Sequence, residues 1–222
     1  MRKPSPDSTE RRSFLTRFNA GAASLAALAM GRTAMAQVRT SPAARWEPAR
    51  HDKDDWLDQI PGKHRFLFDT INEEGLGNAL LFANNFLIVN RAEYNVENKD
   101  LAMILVVRHL STTFGYNNEM WAKYGASLVS VGRPANSEGK EVPKVNSRLG
   151  ALEALSKQGV QFAVCSMASR AMAGVIAKAV GANADDIFNE LAANLISNGR
   201  MVPAGIVAVN RAQERGYSLV SS

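Results

Sequence analysis

The stretch Val160-Gln161-Phe162-Ala163-Val164-Cys165-Ser166-Met167-Ala168-Ser169-Arg170 decides the fold class of this chain. Its first five residues are mostly apolar and rich in β-formers, so they predict a short buried strand. A run of Ala, Met, Val and Ile with helical spacing then extends to Val180. The only cysteine of the chain therefore lies where a strand changes into a helix. In an open α/β sheet this position is at the carboxyl edge, where ligands bind.

Two interpretations of Cys165 stay open at this point. The N-terminus of a helix presents free N–H groups and the positive end of a dipole, which favour an anion. A thiolate at such a position is a good nucleophile. Free cysteines are also among the most buried residue types, so Cys165 fits plain core packing equally well. Because a single cysteine cannot form an intrachain disulfide, it is sequestered, reactive or paired with another molecule.

Strands alternate with helices along the rest of the chain. This pattern predicts an α/β fold with a five-stranded, mostly parallel sheet and helices on both faces. The predicted strands cover residues 64–69, 101–107, 160–164, 201–203 and 217–220. The predicted helices cover residues 75–92, 119–124, 148–158, 187–196 and 205–215, besides the helix that follows Cys165. Residues 132–147, which contain two glycines and two prolines, predict a loop or flap.

The first 36 residues resemble a twin-arginine export signal. Arg11-Arg12-Ser13-Phe14-Leu15 looks like the twin-arginine signature, and Ala34-Met35-Ala36 is a cleavage site of the A-x-A type. We therefore predict a signal peptide over 1–36, a linker or docking arm over 37–62 and an α/β domain over 63–222. The expected location is the periplasm. No stable membrane insertion is expected after cleavage, because the apolar run of the signal is too short for an ordinary spanning helix.

The charge of the chain depends strongly on this signal. The full sequence has a net charge of +5 and a pI of about 9.5. Six basic and two acidic residues lie within residues 1–36, so the mature chain has a net charge of only +1. The basic pI is therefore no indication of nucleic-acid binding, and no nucleic-acid partner is expected.

Two motifs suggest a cofactor or a metal and are rejected. Gly75-Leu76-Gly77 has the spacing of a dinucleotide loop, but Leu80 stands where the third glycine belongs and Glu73 would repel a phosphate. The run His51-Asp52-Lys53-Asp54-Asp55 has no second histidine at ligand spacing, so it predicts a solvated charged segment. We predict neither a cofactor nor a metal.

The ordered set of segments between about Pro61 and Val220 resembles the DsrE/DsrF-like (YchN-like) family. The segments that carry the resemblance are Phe82-Ala83-Asn84-Asn85, Val106-Val107-Arg108-His109, Tyr116-Asn117-Asn118-Glu119-Met120-Trp121-Ala122-Lys123-Tyr124-Gly125, Phe162-Ala163-Val164-Cys165-Ser166-Met167-Ala168 with Gly174-Val175, Val202-Pro203-Ala204-Gly205-Ile206, and Gln213-Glu214-Arg215-Gly216-Tyr217. The first and third of them are most similar to an exported subgroup that carries twin-arginine signals.

The resemblance implies a DsrE-like fold in an oligomer, often a homotrimer or homohexamer. It also implies that Cys165 carries sulfur as a persulfide, received from or passed to a donor or acceptor protein. Such a transfer needs a thiolate and no cofactor. The alternative is a non-catalytic oligomeric binding module of the same fold, with Cys165 in the core. The first helix gives a local reason for self-association, because Phe82, Phe86 and Val89 lie outside its core-facing stripe.

His109 and Arg108 follow the second predicted strand, at the same edge as Cys165. His109 is a candidate catalytic residue that would polarise or deprotonate the thiol, and the alternative is a hydrogen-bonded structural histidine. Arg108 and Arg170 are candidates for holding an anionic sulfur species. The alternative for both arginines is an ordinary salt bridge at the surface.

Three further polar residues are assigned to substrate binding. Ser166 directly follows the cysteine. Asn84 and Asn85 lie on a helix that is otherwise apolar, and buried amides need hydrogen-bond partners. The alternative for the two asparagines is that they anchor the loop at Asn117.

Overall fold

A five-stranded, all-parallel sheet forms the centre of the computed structural model, which describes residues 46–134 and 141–222. The predicted signal peptide and residues 37–45 of the predicted linker lie outside the described residues. The strands are β1 (His64–Thr70), β2 (Leu101–Val107), β3 (Gln161–Cys165), β4 (Gly199–Val202) and β5 (Ser218–Ser221). Their order in the sheet is β4-β3-β2-β1-β5. The predicted α/β class, strand number and parallel pairing are therefore confirmed.

Seven α-helices are found among the described residues. They are α1 (Trp56–Gln59), α2 (Glu73–Tyr94), α3 (Asn118–Gly132), α4 (Leu149–Ser156), α5 (Ser166–Val180), α6 (Ala184–Ala193) and α7 (Gly205–Gln213). Short 3-10 helices cover Asp52–Asp54, Asn98–Asp100 and His109–Gly115. Helix α1 lies within the predicted linker, and its Trp56 and Leu57 are buried against the sheet.

The helices cover both faces of the sheet, as predicted. Side chains of α2 to α6 form one core with Phe68, Met103 and Phe162. Side chains of α1 and α7 form a second core with residues of alternate strand positions, such as Leu67 and Ile104. This division follows from right-handed crossovers, because the chain moves in one direction from β1 to β4 and then returns to β5. The return puts α7 on the opposite face.

The chain leaves the neighbouring strands β3 and β4 toward opposite faces of the sheet. From β3 the chain enters α5 on the first face, and from β4 it enters α7 on the second face. In open α/β sheets such a divergence opens a crevice above the strand ends, and ligands bind there. Cys165 ends β3 and pairs with Val202, so it lies at this divergence.

Helix α3 is much longer than the predicted helix over 119–124. The sequence pattern breaks at Gly125, because glycine in a helix interior is unfavourable. In the structure this glycine is required, since the carbonyl oxygen of Pro143 lies where a Cβ atom would be. The helix passes Gly125 with a kink at Tyr124 and continues to Gly132. Its last turn packs on Thr113, whose hydroxyl donates to the carbonyl oxygen of Leu128.

Candidate functional site

Cys165 is the last residue of β3 and the residue immediately before α5. Its backbone is extended, with φ −74° and ψ 112°, and Ser166 starts the helix. Only 7% of the residue is exposed. The position predicted from the sequence is therefore confirmed, while its burial is the property expected of a packed cysteine.

A buried hydrogen-bond chain fixes the carbonyl group of Cys165. The hydroxyl of Ser169, one turn later in α5, donates to this carbonyl oxygen over 2.8 Å. The hydroxyl of Tyr116 donates to the Ser169 Oγ atom over 2.7 Å. Both side chains are fully buried, and burial raises the pKa of Tyr116 above its ordinary range. Burial thus favours the protonated phenol, which is the form that donates this hydrogen bond.

Arg108 lies at the same level of the sheet as Cys165. Val107 pairs with Val164 in the parallel register, so the next residues of β2 and β3 leave their strands side by side. The guanidinium of Arg108 binds both carboxylate oxygens of Asp69, with Nε–Oδ1 2.7 Å and Nη2–Oδ2 2.8 Å. The hydrogen bond to Asp69 is the largest cause of a raised Arg108 pKa, and a negative charge on Cys165 raises this pKa further. The Asp69 carboxylate is therefore the main group that holds the Arg108 cation in place, and a negative charge at Cys165 is the smallest of these contributions.

The side chain of Arg108 passes over the first residue of α7. A Cβ atom added to Gly205 would lie 2.5 Å from the Arg108 Cβ and 3.0 Å from its Cδ. Only glycine leaves room for the arginine stem at this point. The N-terminus of α7 thus borders the carboxyl edge on one face of the sheet, and the N-terminus of α5 borders it on the other face.

His109 follows Arg108 in the left-handed backbone region, with φ 56°. Its side chain is exposed, and among the described residues it makes no hydrogen bond or ion pair. The structure places it at the predicted edge of the sheet. Within the described residues, the His109 side chain therefore lacks the hydrogen bond that the structural alternative requires.

The other two predicted residues of this region lie on α5. Ser166 is half-buried at the first position of the helix. Arg170 packs its guanidinium 3.9 Å from the ring centre of Phe188 and forms a 3.4 Å ion pair with Asp185. Both of these partners belong to α6. Arg170 thus has the contacts of a surface residue that joins two helices.

Asn84 and Asn85 lie on α2, over the other half of the sheet. Asn85 lines an apolar groove of about 400 Å³ between α2, β1 and β5, two strands away from Cys165. The loop that they were expected to anchor is held instead by Asn146. The Asn146 amide donates to the carbonyl oxygens of Phe114 and Tyr116, both over 2.9 Å.

Sequence reasoning missed Asp69, Tyr116 and Ser169 as members of the site. Asp69 could have been found, because it ends the predicted first strand and the ends of parallel strands meet at one edge. The structure pairs Asp69 with Val106, which places it beside Arg108. Tyr116 and Ser169 had no local signal, since 53 residues separate them in the chain.

Within the described ranges 46–134 and 141–222, no group of three or more His, Cys, Asp or Glu side chains is placed to hold a metal ion. No helix in the same ranges has both the length and the apolar character needed to cross a membrane.

Comparison with known proteins identifies no family for this chain. No family model and no curated protein matches it. Among solved structures, a protein of unknown function from Methanobacterium thermoautotrophicum is similar over 72% of this chain and 100% of its own, with 16% identity and a TM-score of 0.39. A similarity of this size establishes neither the fold nor the function of this chain.

Proposed function

We propose that this chain is an exported, homo-oligomeric DsrE-like protein that carries sulfur as a persulfide on Cys165. The observation that carries the proposal is the position of this residue at the junction of β3 and α5. There the chain segments leaving β3 and β4 diverge to opposite faces of the sheet. Export is proposed from the sequence features of residues 1–36, and the destination is the periplasm.

The proposed reaction is a pair of thiol–persulfide exchanges. The Cys165 thiolate attacks the terminal sulfur of a donor persulfide, R–S–SH, and forms a new S–S bond as the donor S–S bond breaks. The donor leaves as the thiolate R–S⁻, and Cys165 now carries –S–SH. An acceptor thiolate then attacks this outer sulfur, and the Cys165 thiolate leaves. Neither step changes the overall oxidation state of the pair, so no cofactor is needed.

Two features of the site support this chemistry. The free N–H groups at the start of α5 lie next to Cys165 and favour a negative charge on its sulfur. Arg108 follows β2 at the level where Cys165 ends β3, so its guanidinium adds a positive charge at the same edge of the sheet. The Ser169–Tyr116 chain keeps the first turn of α5 in place, so these groups are oriented before a donor arrives.

A specific observation favours the second candidate, a non-catalytic oligomeric binding module in which Cys165 belongs to the core. With 7% of its surface exposed, Cys165 belongs to the buried residues of the core, although its strand neighbours are more buried still. A thiol that stays closed off cannot reach a donor sulfur on another protein.

The experiment that separates the two candidates is intact-mass spectrometry of the folded protein after incubation with polysulfide at pH 7. The proposal expects a mass increase of one sulfur atom, removed again by a reducing thiol. Cys165→Ser is the matched control, because it is close in size and cannot hold a persulfide. If sulfur is added only after denaturation, the persulfide proposal fails and the binding-module candidate takes its place.

A further inference from the structure

The outer surface of α2 carries a stripe of exposed apolar residues. Leu81 and Phe82 recur seven residues later as Ile88 and Val89, and Asn85 lies between the two pairs. All four apolar side chains are about half exposed, with Phe82 and Val89 both at 47%. A seven-residue repeat of this kind keeps one side of a helix facing a neighbouring helix. Within the described residues, nothing covers this stripe.

The surface beside this stripe is also uncovered. Strand β5 is an edge strand, and all four of its residues are exposed. On the face that carries α2, the side chain of Val220 forms the floor of the 400 Å³ groove, and Phe82, Phe86 and Val89 form its wall. No helix among the described residues lies over β5 on this face, whereas α2 itself contacts β1 and β2. The groove therefore occupies the place where the next helix of the layer would lie.

The charge pattern indicates what fills this place. From Asn78 to Asn90 the sequence contains no charged residue, although several of these positions are exposed. β5 is equally uncharged. The opposite edge strand is protected in the usual way, because β4 carries Arg200 and is followed by Pro203. An uncharged surface offers nothing that would attract a charged partner.

The same surface is complementary to itself. A surface with charges of one sign repels its own copy, whereas an asparagine side chain has both a donor and an acceptor and can pair with its copy. In a helix pair related by a twofold axis, the residue at the centre of the contact faces itself. Asn85 is central in the stripe, and a single asparagine within an apolar helix seam is a known means of fixing the register of such a pair.

From these observations we infer that a second copy of this chain covers the groove, with its α2 packed against α2 of the first copy about a twofold axis near Asn85. This inference rests on the homo-oligomer of the proposed function and is independent of sulfur chemistry at Cys165. A twofold contact gives a dimer by itself and a hexamer when combined with a threefold contact.

The first test is light scattering of the full chain and two variants, Phe82→Asp and Val89→Asp. A charge in the seam would be buried without a partner, so each variant should halve the mass of the assembly. Val175→Asp is the control, because Val175 is similarly exposed on α5, away from the stripe. Its assembly mass should not change. Circular dichroism confirms that every variant retains its helices.

The second test needs no disruptive substitution. In a Cys165→Ser background, Asn85→Cys should form a disulfide between copies much faster than Val175→Cys under the same mild oxidant. Equal rates, or an assembly whose mass is unchanged by both Asp variants, would overturn the inferred surface while leaving the oligomer intact. A wild-type chain that is monomeric at micromolar concentration would overturn the inference and the proposed homo-oligomer together. Sulfur loading of Cys165 is measured separately and is unaffected by either result.

Discussion

Arg108 and Asp69 form a bidentate ion pair that joins the end of β2 to the end of β1, at the same edge of the sheet as Cys165. The carboxylate is nearly buried, whereas the guanidinium is partly exposed. Asp69 thus has two effects on the site. It fixes the position of the arginine, and it offsets the positive charge that would otherwise act on the thiol.

The two members of this pair should have opposite effects on thiol reactivity. Asp69→Asn leaves the positive charge of Arg108 uncompensated, which favours the thiolate, so alkylation of Cys165 by iodoacetamide at pH 7 should become faster. Arg108→Gln removes the positive charge, and alkylation should become slower. Both variants break the same pair and should lose about 2 kcal/mol of unfolding free energy, since the pair is only partly buried. Rates that change in the same direction would show that loosening of the fold, and not charge, controls the thiol.

Ser169 should contribute more to stability than Tyr116, although they share a hydrogen bond. Tyr116→Phe removes one hydrogen bond and leaves the Ser169 hydroxyl bound to Cys165, so it should cost about 1 kcal/mol. Ser169→Ala leaves the buried Tyr116 hydroxyl without its acceptor and also removes the side-chain hydrogen bond to the Cys165 carbonyl, so it should cost about 2–3 kcal/mol. Urea unfolding measures both, with the exposed Tyr94→Phe as a neutral control. Equal losses would contradict the chain of bonds described for this site.

Two glycine-to-alanine substitutions should change stability in opposite directions. At Gly205 the new methyl group would lie 2.5 Å from the Cβ of Arg108, so Gly205→Ala should lose about 1–3 kcal/mol despite the better helix propensity of alanine. At Gly174, within α5, a methyl group meets no atom within 4 Å. Gly174→Ala should therefore gain up to about 1 kcal/mol. Thermal unfolding of the two variants tests this, and a stabilised Gly205→Ala protein would be incompatible with the described packing of Arg108.

Stability should fall at high pH in part because of Tyr217. Burial raises the pKa of Tyr217 to about 12, against about 10 in an unfolded chain. Between these values the unfolded chain releases the phenolic proton and the folded chain retains it, so the free energy of unfolding decreases as pH rises from about 10 to about 12. Tyr217→Phe should reduce this slope, after a loss of about 1 kcal/mol at neutral pH from the hydrogen bond to the Leu57 carbonyl. Equal slopes for wild type and variant would refute this assignment.

Local pattern was sufficient where a segment has the same environment along its whole length. Residues 101–107 were predicted as a strand buried on both faces, and all seven are buried in β2. The pattern was insufficient where the environment comes from elsewhere in the chain. Gly125 lies within helix α3 because the Pro143 carbonyl oxygen leaves no room for a Cβ atom there, and nothing in residues 119–124 indicates that contact.

The same distinction between local pattern and distant contacts applies to the candidate site. The position of Cys165 at the carboxyl edge of the sheet followed from the strand-to-helix pattern. Parallel pairing then fixes which residues of the other strands lie at the same edge. That Arg108 binds Asp69 follows from this register, once the first strand is known to end beside the second. The orientation of Arg170 toward Phe188 and Asp185 did not follow, because it depends on how α6 packs against α5.

The unequal protection of the two sheet edges has a consequence for how far assembly can proceed. Fibres grow when each added subunit presents another unpaired edge strand on the side away from the subunit that it has joined. Here the far end is β4, where Arg200 and Pro203 oppose the addition of another strand. Contact at the β5 side therefore occupies the less protected of the two edges of the described sheet in each subunit. Association of this kind closes on itself and does not extend the sheet from one subunit to the next.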